Sequence, residues 1–454
     1  MIGLNKIGLN QVQLNRLRLN APFPTCRKMA GGGGSSDGFP QLPGDVTRWH
    51  FGGLTNEMMA AMDDPRIEDA DHKGRFLSFK NFAWKEGSGI SDIYPGALVF
   101  DGVDDWAGCD NLPLLPKEKG YSIIALRNWI TRYDATQYKR PLISNLDTND
   151  EGAFLIEYRK DENVSDVTGS YNSFTDVYID DNNPITWQTS SSYNGQIIKK
   201  GTSKSSNKLC ICKTYFGQLS KYANAAIWEI VILDHDATEE ELTKIKDYFV
   251  KTYPWLFPDQ AWTVVGKTNE DEDRATIANI TGNGNDLVCL NLGFIEGSGY
   301  NEEGEYAGYL VTDGVDDKIT SSTFEMGNDW TVIGDWELIN TGKNDNAGIV
   351  KFDSIVIYNY NPILINIKNG RNNLIPDQNT VNAICSDGRI YSKDWKESIY
   401  NEETESTSKN LLTIGYSGNS YTKIAFKNLA IYPTVLSKED CIKAYNYLQT
   451  LKAK

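Results

Sequence analysis

One phrase occurs twice in this chain and constrains its fold more than any other feature. Residues 100–105 read Phe-Asp-Gly-Val-Asp-Asp, and residues 312–317 read Thr-Asp-Gly-Val-Asp-Asp. Each copy follows a short apolar run, which predicts a β-strand that enters a tight turn, because Asp-Gly supplies the positive φ of such turns. The neighbours recur in the same order, including Glu-Gly-Ser-Gly at 86–89 and 296–299. So long a repeat indicates a duplicated domain, since the units of solenoids are far shorter.

The duplication predicts the domain organisation. Each repeat has the length of an ordinary domain and can bury its own core. Each also ends in an apolar strand that leads into a helix, with Thr238 and Ser437 as the predicted N-caps. We expect an N-terminal anchoring segment, a Gly-rich linker, a first jelly-roll domain and a second one, at residues 1–28, 29–44, 45–258 and 259–454.

The fold class follows from the spacing of strands and turns. Short apolar runs alternate with turns rich in Asn, Asp, Ser and Gly, and each repeat has one helix near its end. This pattern is typical of a β-sandwich. We therefore predict an all-β chain of two tandem jelly-roll sandwiches, each closed by a short C-terminal helix, behind an extended N-terminal anchor.

The first 20 residues contain a five-residue repeat, with aliphatic residues at its first and third positions and Asn at its fourth. So short a segment cannot bury its own aliphatic side chains, so we expect it to add strands to a partner or to other copies of itself. The alternative is a frayed tail. The predicted anchoring residues are Leu4, Leu9, Leu14, Leu19, Arg16 and Arg18.

Charge and hydropathy limit the partners. Residues 1–36 contain five basic residues and no acidic one, although the whole chain has a net charge of −16. The acidic body disfavours nucleic-acid binding, and the basic leader suggests an acidic docking surface. No run approaches the roughly 20 apolar residues that span a bilayer, and the N-terminus has no apolar signal region. We expect synthesis in a cytoplasm, no general export and no membrane partner.

Four stretches resemble one known family. Residues 97–106 and 310–317 resemble the strand and turn written FDGVDDY in the concanavalin A-like lectin/glucanase superfamily, and more narrowly in its laminin-G-like jelly rolls. Residues 275–287 and 432–439 look like the entry and the closing helix start of the same fold. The whole arrangement is similar to head-fibre and decoration proteins of crAss-like phages of gut Bacteroides. The resemblance covers both repeats but not the leader.

The resemblance also raises the question of catalysis. Glucanases of this superfamily place two glutamates and an aspartate on one strand, and retaining hydrolysis needs two carboxyls about 5 Å apart. No apolar strand of this chain has that pattern, and Glu229 is the lone acid of its strand. We therefore expect no enzymatic activity, no catalytic residue and no cofactor.

The repeated aspartates allow two interpretations. Calcium takes oxygen ligands, and laminin-G-like domains sometimes bind it. Carboxylates beside a glycine turn also cap backbone N–H groups. We prefer turn capping and predict no metal site, because each set offers few ligands; the two sets are Asp101, Asp104 and Asp105, and Asp313, Asp316 and Asp317.

Aromatic residues in polar loops are the candidate ligand contacts. Their faces stack on sugar rings, while neighbouring Asn and Ser side chains bind hydroxyl groups. The alternative for any one of them is burial in a core. The predicted carbohydrate-binding residues are Tyr171, Trp187, Tyr193, Tyr416 and Tyr421.

These observations predict a non-enzymatic virion protein of a phage, a head fibre or capsid decoration. Its leader would bind capsid or other virion proteins, and its lectin-like domains would adhere to host or mucosal glycans. Assembly on a symmetric particle implies a homo-oligomer. The alternatives are a bacterial carbohydrate-binding module protein and, third, a glycoside hydrolase.

Overall fold

In a computed structural model of the chain, both repeats fold into β-strands. Residues 43–454 form one compact unit, to which every element named below belongs. The structure describes residues 37–115, 120–131, 139–147, 154–159, 175–178, 183–189, 192–193, 196–197, 206–217, 221–339, 348–352, 355–358, 364–367, 371–374, 381–399, 410–417 and 420–453.

The first repeat forms fifteen strands in the described residues, together with two helices and one 3-10 turn. The helices are α1 (Asn56–Ala60) and α2 (Glu239–Thr252), and the 3-10 turn is Pro254–Leu256. The strands are β1 (Val46–His50), β2 (Arg66–Glu68), β3 (Phe76–Lys80), β4 (Gly89–Ile90), β5 (Leu98–Asp101), β6 (Trp106–Cys109), β7 (Ser122–Thr131), β8 (Lys139–Ser144), β9 (Phe154–Arg159), β10 (Thr175–Tyr178), β11 (Ile185–Thr189), β12 (Ser192–Tyr193), β13 (Gln196–Ile197), β14 (Leu209–Ile211) and β15 (Asn224–Leu233).

These strands form two sheets that pack face to face. The first has the order β13-β12-β11-β7-β15-β5-β4, with β1 also paired to β15, and the second has the order β10-β9-β8-β14-β6-β3-β2. One hydrophobic core joins them, with Phe100 and Ile123 from the first sheet and Phe79 and Leu142 from the second. We call this two-sheet unit sandwich 1.

The second repeat has eighteen described strands and one helix, α3 (Lys438–Leu448). The strands are β16 (Gln260–Thr263), β17 (Thr276–Ile277), β18 (Leu287–Leu290), β19 (Gly299–Asn301), β20 (Tyr309–Val311), β21 (Lys318–Phe324), β22 (Thr331–Leu338), β23 (Gly348–Phe352), β24 (Ile355–Tyr358), β25 (Leu364–Ile367), β26 (Arg371–Leu374), β27 (Val381–Cys385), β28 (Arg389–Ser392), β29 (Glu397–Ile399), β30 (Asn410–Ile414), β31 (Tyr416–Ser417), β32 (Ser420–Tyr421) and β33 (Ile424–Tyr432).

They also form two facing sheets, which we call sandwich 2. The orders are β19-β20-β33-β22-β27-β28-β29, with β16 paired to β33, and β17-β18-β21-β30-β23-β24-β25-β26. β31 and β32 form a separate hairpin. Val332 and Phe426 of the first sheet share a core with Ile319 and Leu412 of the second. The predicted all-β fold of jelly-roll sandwiches is confirmed.

The terminal helices begin where the sequence predicts. Thr238 caps α2, and its Oγ1 accepts a hydrogen bond from the backbone N–H of Glu241, whose carboxylate accepts the N–H of Thr238 in return. Ser437 caps α3 in the same way, with Oγ 3.1 Å from the amide nitrogen of Asp440. Both predicted N-caps are confirmed. The short helix α1, capped by Thr55, was not predicted.

The repeated Glu-Gly-Ser-Gly has a steric reason. A Cβ at Gly299 would lie 2.7 Å from the Cα of Phe294, and a Cβ at Gly89 would overlap Oδ1 of Asn56. That Oδ1 accepts the N–H of Ile90 at 2.8 Å, as Oδ1 of Asn269 accepts the N–H that follows Gly299. The two glycines therefore allow an asparagine to hold the start of a strand in each repeat.

The two sandwiches touch at a junction that involves α3. The Tyr432 hydroxyl donates to the carbonyl of Trp255 at 3.1 Å, and the ammonium of Lys443 lies 4.4 Å from the Trp255 ring centroid. The rings of Trp228 and Tyr447 meet edge to face at 6.2 Å. Helix α3 thus packs on both sandwiches. In the described part of the chain, no helix is long and apolar enough to cross a membrane.

Candidate functional site: a tyrosine–carboxylate surface

A β-bulge in β33 places two consecutive side chains on the outer face of sandwich 2. The Cα register pairs Asp335 with Asn428 and Trp336 with Phe426, so Lys427 is the extra residue. Phe426 and Leu429 both enter the core. Lys427 and Asn428 between them therefore point outward together, which is how bulges re-aim side chains.

Two tyrosines converge on a carboxylate beside this bulge. The hydroxyl of Tyr309, at the start of β20, donates to Oδ1 of Asp335 at 3.1 Å. The Asp335 carboxylate also acts on Tyr445, on α3, where burial and then this carboxylate raise the pKa of the hydroxyl. The ammonium of Lys427 lies 3.9 Å from Oδ2 of the same aspartate and 5.6 Å from the ring centroid of Tyr309. Tyr306 extends the group, with its ring 6.4 Å from that of Tyr309.

A second cluster continues the surface along the next strands. Lys393 forms a 2.6 Å ion pair with Glu337, and the ring of Trp395 lies 5.7 Å edge to face from Tyr445. Trp395 has a φ of 57°, a conformation that costs a bulky residue free energy. Its N–H donates to the carbonyl of Ser392 at 2.9 Å. Strain of this kind concentrates at functional sites.

We call these eight residues the tyrosine–carboxylate surface. The Asp335 side chain is 12 % exposed and that of Glu337 is 30 % exposed, so both carboxylates are within reach of a ligand. All eight residues are at least partly exposed. The members are Tyr306, Tyr309, Asp335, Glu337, Lys393, Trp395, Lys427 and Tyr445.

Electrostatics hold the phenols in their neutral, hydrogen-donating form. Burial and then the nearby Asp335 charge raise the pKa of Tyr309 and of Tyr445 far above neutrality. The hydrogen bond to Glu337 raises the pKa of Lys393. At neutral pH the surface therefore offers aromatic faces, phenol hydroxyls, carboxylate acceptors and ammonium donors. That combination suits a ligand with hydroxyl groups and apolar ring faces.

The corresponding face of sandwich 1 is covered. β15 has the same bulge, with Trp228 as the extra residue between Ile227 and Glu229. Trp228 is fully buried, its Nε1 donates to the carbonyl of Pro95 at 2.9 Å, and Tyr447 packs against its ring. At this bulge position sandwich 1 buries Trp228 against α3, whereas the equivalent Lys427 of sandwich 2 keeps 26 % of its side chain exposed.

The predicted ligand-binding residues lie elsewhere. Trp187 is half-buried on β11, paired with Ile124 of β7. Tyr416 and Tyr421 face each other across the β31–β32 hairpin with ring centroids 4.9 Å apart, and Lys318 lies 5.1 Å from the Tyr416 ring. The backbone of Tyr193 lies in β12. These residues occupy at least two separate places.

Several predictions fall outside the described residues. Tyr171 is one, and the side chain of Tyr193 is another. The others are the anchoring segment, the predicted linker up to residue 36, and the predicted anchoring residues Leu4, Leu9, Leu14, Leu19, Arg16 and Arg18.

The repeated aspartates cap their turns. Oδ1 of Asp101 accepts the N–H groups of Val103 and Asp104 at 2.8 and 3.2 Å, and Asp105 accepts the N–H of Asp101 at 3.1 Å. The second copy repeats these bonds around Asp313. Burial raises the pKa of Asp105 to about 6. These carboxylates therefore cap their turns, and we base no metal site on them.

Sequence reasoning missed every member of the tyrosine–carboxylate surface. It selected aromatic residues in polar loops, whereas Tyr309 and Tyr445 lie in a strand and a helix. One clue was present. Aligning the two repeats places Lys427 opposite Trp228, a change from a large apolar residue to a charged one within a buried strand. That difference marks a bulge position whose side chain is fully buried in sandwich 1 and partly exposed in sandwich 2.

No family model and no curated protein matches the chain. Among solved structures, Trypanosoma rangeli sialidase in complex with sialic acid matches at 9 % identity and a TM-score of 0.30, over 85 % of this chain and 68 % of that one. A mutant of this sialidase displaying trans-sialidase activity matches at 7 % identity and a TM-score of 0.31. That match covers 51 % of this chain, which spans only 42 % of the mutant.

The binding domain of botulinum neurotoxin serotype D/C also matches, at 9 % identity and a TM-score of 0.28, over 79 % of this chain and 95 % of that domain. TM-scores this low support no conclusion about what the present chain binds or does.

The comparison does correct one expectation. Sialidases are enzymes, so the prediction that the chain is not an enzyme is contradicted, and we do not retain it. The prediction rested on a missing pattern of strand carboxylates. That pattern identifies the usual carboxylate pair of glycoside hydrolases, and its absence does not exclude catalysis.

Proposed function

We propose that this chain binds glycans and that the tyrosine–carboxylate surface is the binding site. The observation that supports this most directly is the group of four half-buried aromatic rings around Asp335 and Glu337. Aromatic faces bind the apolar faces of sugar rings, and the paired carboxylates and phenols offer partners for hydroxyls. A sheet and a helix hold the surface, so little ordering accompanies binding.

A glycan array probed with the full chain tests this function. We expect Trp395→Ala and Tyr309→Ala each to weaken binding by about tenfold to a hundredfold, because each removes a ring that is expected to contact the sugar. Tyr416→Ala removes a comparable half-buried ring on the β31–β32 hairpin and serves as the matched control. Released sugar is measured in the same incubations, so that turnover is detected if it occurs.

Two results would contradict the proposal. If the wild-type chain binds no glycan on the array, the function is wrong. If Tyr416→Ala abolishes binding while Tyr309→Ala and Trp395→Ala do not, the site lies at the hairpin instead.

We further propose that the chain is a virion component, a phage head fibre or decoration protein made in the host cytoplasm, with residues 1–28 as its anchor. The support is the five-residue repeat of the leader and its basic charge on an otherwise acidic chain. Display of many copies on one particle would strengthen weak glycan contacts. The alternative is a bacterial carbohydrate-binding module protein.

Removal of residues 1–44 tests the anchor. We expect the full chain to form a homo-oligomer in light scattering and to sediment with phage particles. The truncated chain, which retains the compact unit, should remain monomeric and free. Identical monomeric behaviour of both chains would refute the anchor, and glycan binding without association with particles would favour the bacterial alternative.

A further inference from the structure

We propose that the cleft between the two sandwiches is a second ligand site, which takes a neutral oligosaccharide. The cleft has a volume of about 1110 Å³ and is lined by residues of both sandwiches. It lies apart from the residues of the tyrosine–carboxylate surface. The inference rests on the proposed function for the class of ligand, but it concerns different residues and can fail separately.

The walls of the cleft are fixed before any ligand arrives. On one side, β11 pairs with β7 over five residues, and the Nε of Arg127 donates to Thr186 Oγ1 at 2.8 Å in a buried contact. On the other side, Oγ1 of Thr281 donates to the carbonyl of Asp259 at 3.1 Å and holds the turn of sandwich 2. The α3 junction connects the two sides. A preformed concave site loses little free energy to ordering on binding.

Trp187 provides the aromatic contact. Its backbone lies in the middle of β11, and its half-buried side chain lines the cleft. Ile124, its partner on β7, is 1 % exposed and also lines the cleft. A half-buried indole beside an apolar neighbour is suited to stack on a sugar ring.

Neutral polar groups surround this contact. Asn128 on β7, Asn183 before β11 and Asn283 in the facing turn line the cleft together with Thr281. Side-chain amides offer both donors and acceptors, which match the hydroxyl groups of sugars.

The charges at the cleft balance. Lys246 and Lys452 provide two positive charges, and Glu239 and Asp259 provide two negative ones. A lining without net charge favours an uncharged ligand. Residues of both sandwiches line the cleft, and its volume of about 1110 Å³ suits an oligomer rather than a single sugar.

Fluorine NMR of the full chain labelled with 5-fluorotryptophan tests the proposal at the cleft itself. Trp187→Phe removes one of eleven tryptophan resonances and so assigns it. The probes are cellohexaose, maltohexaose and mannohexaose, each titrated to about 10 mM. We expect at least one of them to shift the Trp187 resonance with saturation, and Asn128→Ala to weaken that binding about tenfold.

Tyr309→Ala is the matched control and should leave the Trp187 titration unchanged. If no probe moves the Trp187 resonance, the cleft is not an oligosaccharide site. If Tyr309→Ala abolishes the shift, the ligand sits at the tyrosine–carboxylate surface and the cleft proposal is overturned, while the proposed function survives. If Tyr309→Ala and Trp395→Ala leave array binding unchanged and the Trp187 shift is retained, the first site alone is refuted.

Discussion

Replacing Arg48 by Met is expected to lower the free energy of unfolding by about 3–5 kcal/mol. Arg48 is 1 % exposed, and its Nη1 lies 2.9 Å from Oε1 of the fully buried Glu229. The other carboxylate oxygen accepts hydrogen bonds from Tyr248 at 3.3 Å and Tyr253 at 2.8 Å. Met retains most of the volume of the side chain, so the loss comes from a carboxylate left in the protein interior without its cation.

The double variant Arg48→Met with Glu229→Gln should recover most of that loss, since a buried ion pair replaced as a whole by neutral groups costs little. The second repeat supports this. The register places Ala261 and Asn428 where sandwich 1 has Arg48 and Glu229, so the same sheet folds with an uncharged pair. Urea unfolding followed by tryptophan fluorescence measures the coupling between the two substitutions.

Lys244→Met is the control for this experiment. Its ion pair with Glu240 has a distance of 2.7 Å, but the two side chains are 48 % and 77 % exposed. We expect it to change stability by less than about 0.5 kcal/mol. Equal effects of Arg48→Met and Lys244→Met, or additive effects in the double variant, would refute the argument.

Replacing Trp228 by Ala is expected to cost about 3–5 kcal/mol. The side chain is fully buried at the bulge of β15, and its removal leaves a cavity beside Tyr447 and breaks the hydrogen bond to Pro95. Because Tyr447 lies on α3, we also expect faster amide hydrogen exchange in that helix.

Lys427→Ala provides the matched comparison, since Lys427 occupies the same bulge position in sandwich 2. Its side chain is 26 % exposed, and we expect a loss below about 1 kcal/mol. If the two variants lose similar stability, the two faces do not differ as we infer. If Trp228→Ala leaves hydrogen exchange in α3 unchanged, Trp228 does not support the junction.

The local features of the fold were predictable from the sequence. The Asp-Gly turns, the N-caps Thr238 and Ser437 and the strand periodicity depend on groups a few residues apart, whose geometry adjacent side chains dictate. The duplication extended these predictions to both halves of the chain. Helix α1 was missed because five residues give too short a periodic pattern to recognise.

The candidate site could not be predicted in this way. Tyr309, Asp335 and Tyr445 lie on three elements that are far apart in the chain, and only the order β20-β33-β22 and the packing of α3 bring them together. Trp187, which was predicted as a ligand contact because it lies in a polar stretch, lines the cleft proposed above, and its role stays a prediction.

The sequence by itself determined that the chain is a duplicated all-β protein with helix-closed sandwiches, because turns, caps and strand alternation are set by neighbouring residues. Only the tertiary structure decided that the bulge side chain is buried in sandwich 1 and partly exposed in sandwich 2. A bulge depends on the register between two strands, and the covering of Trp228 depends on a helix from the other repeat. Long-range pairing of this kind leaves no periodic pattern in the sequence, so two equivalent faces acquired different roles.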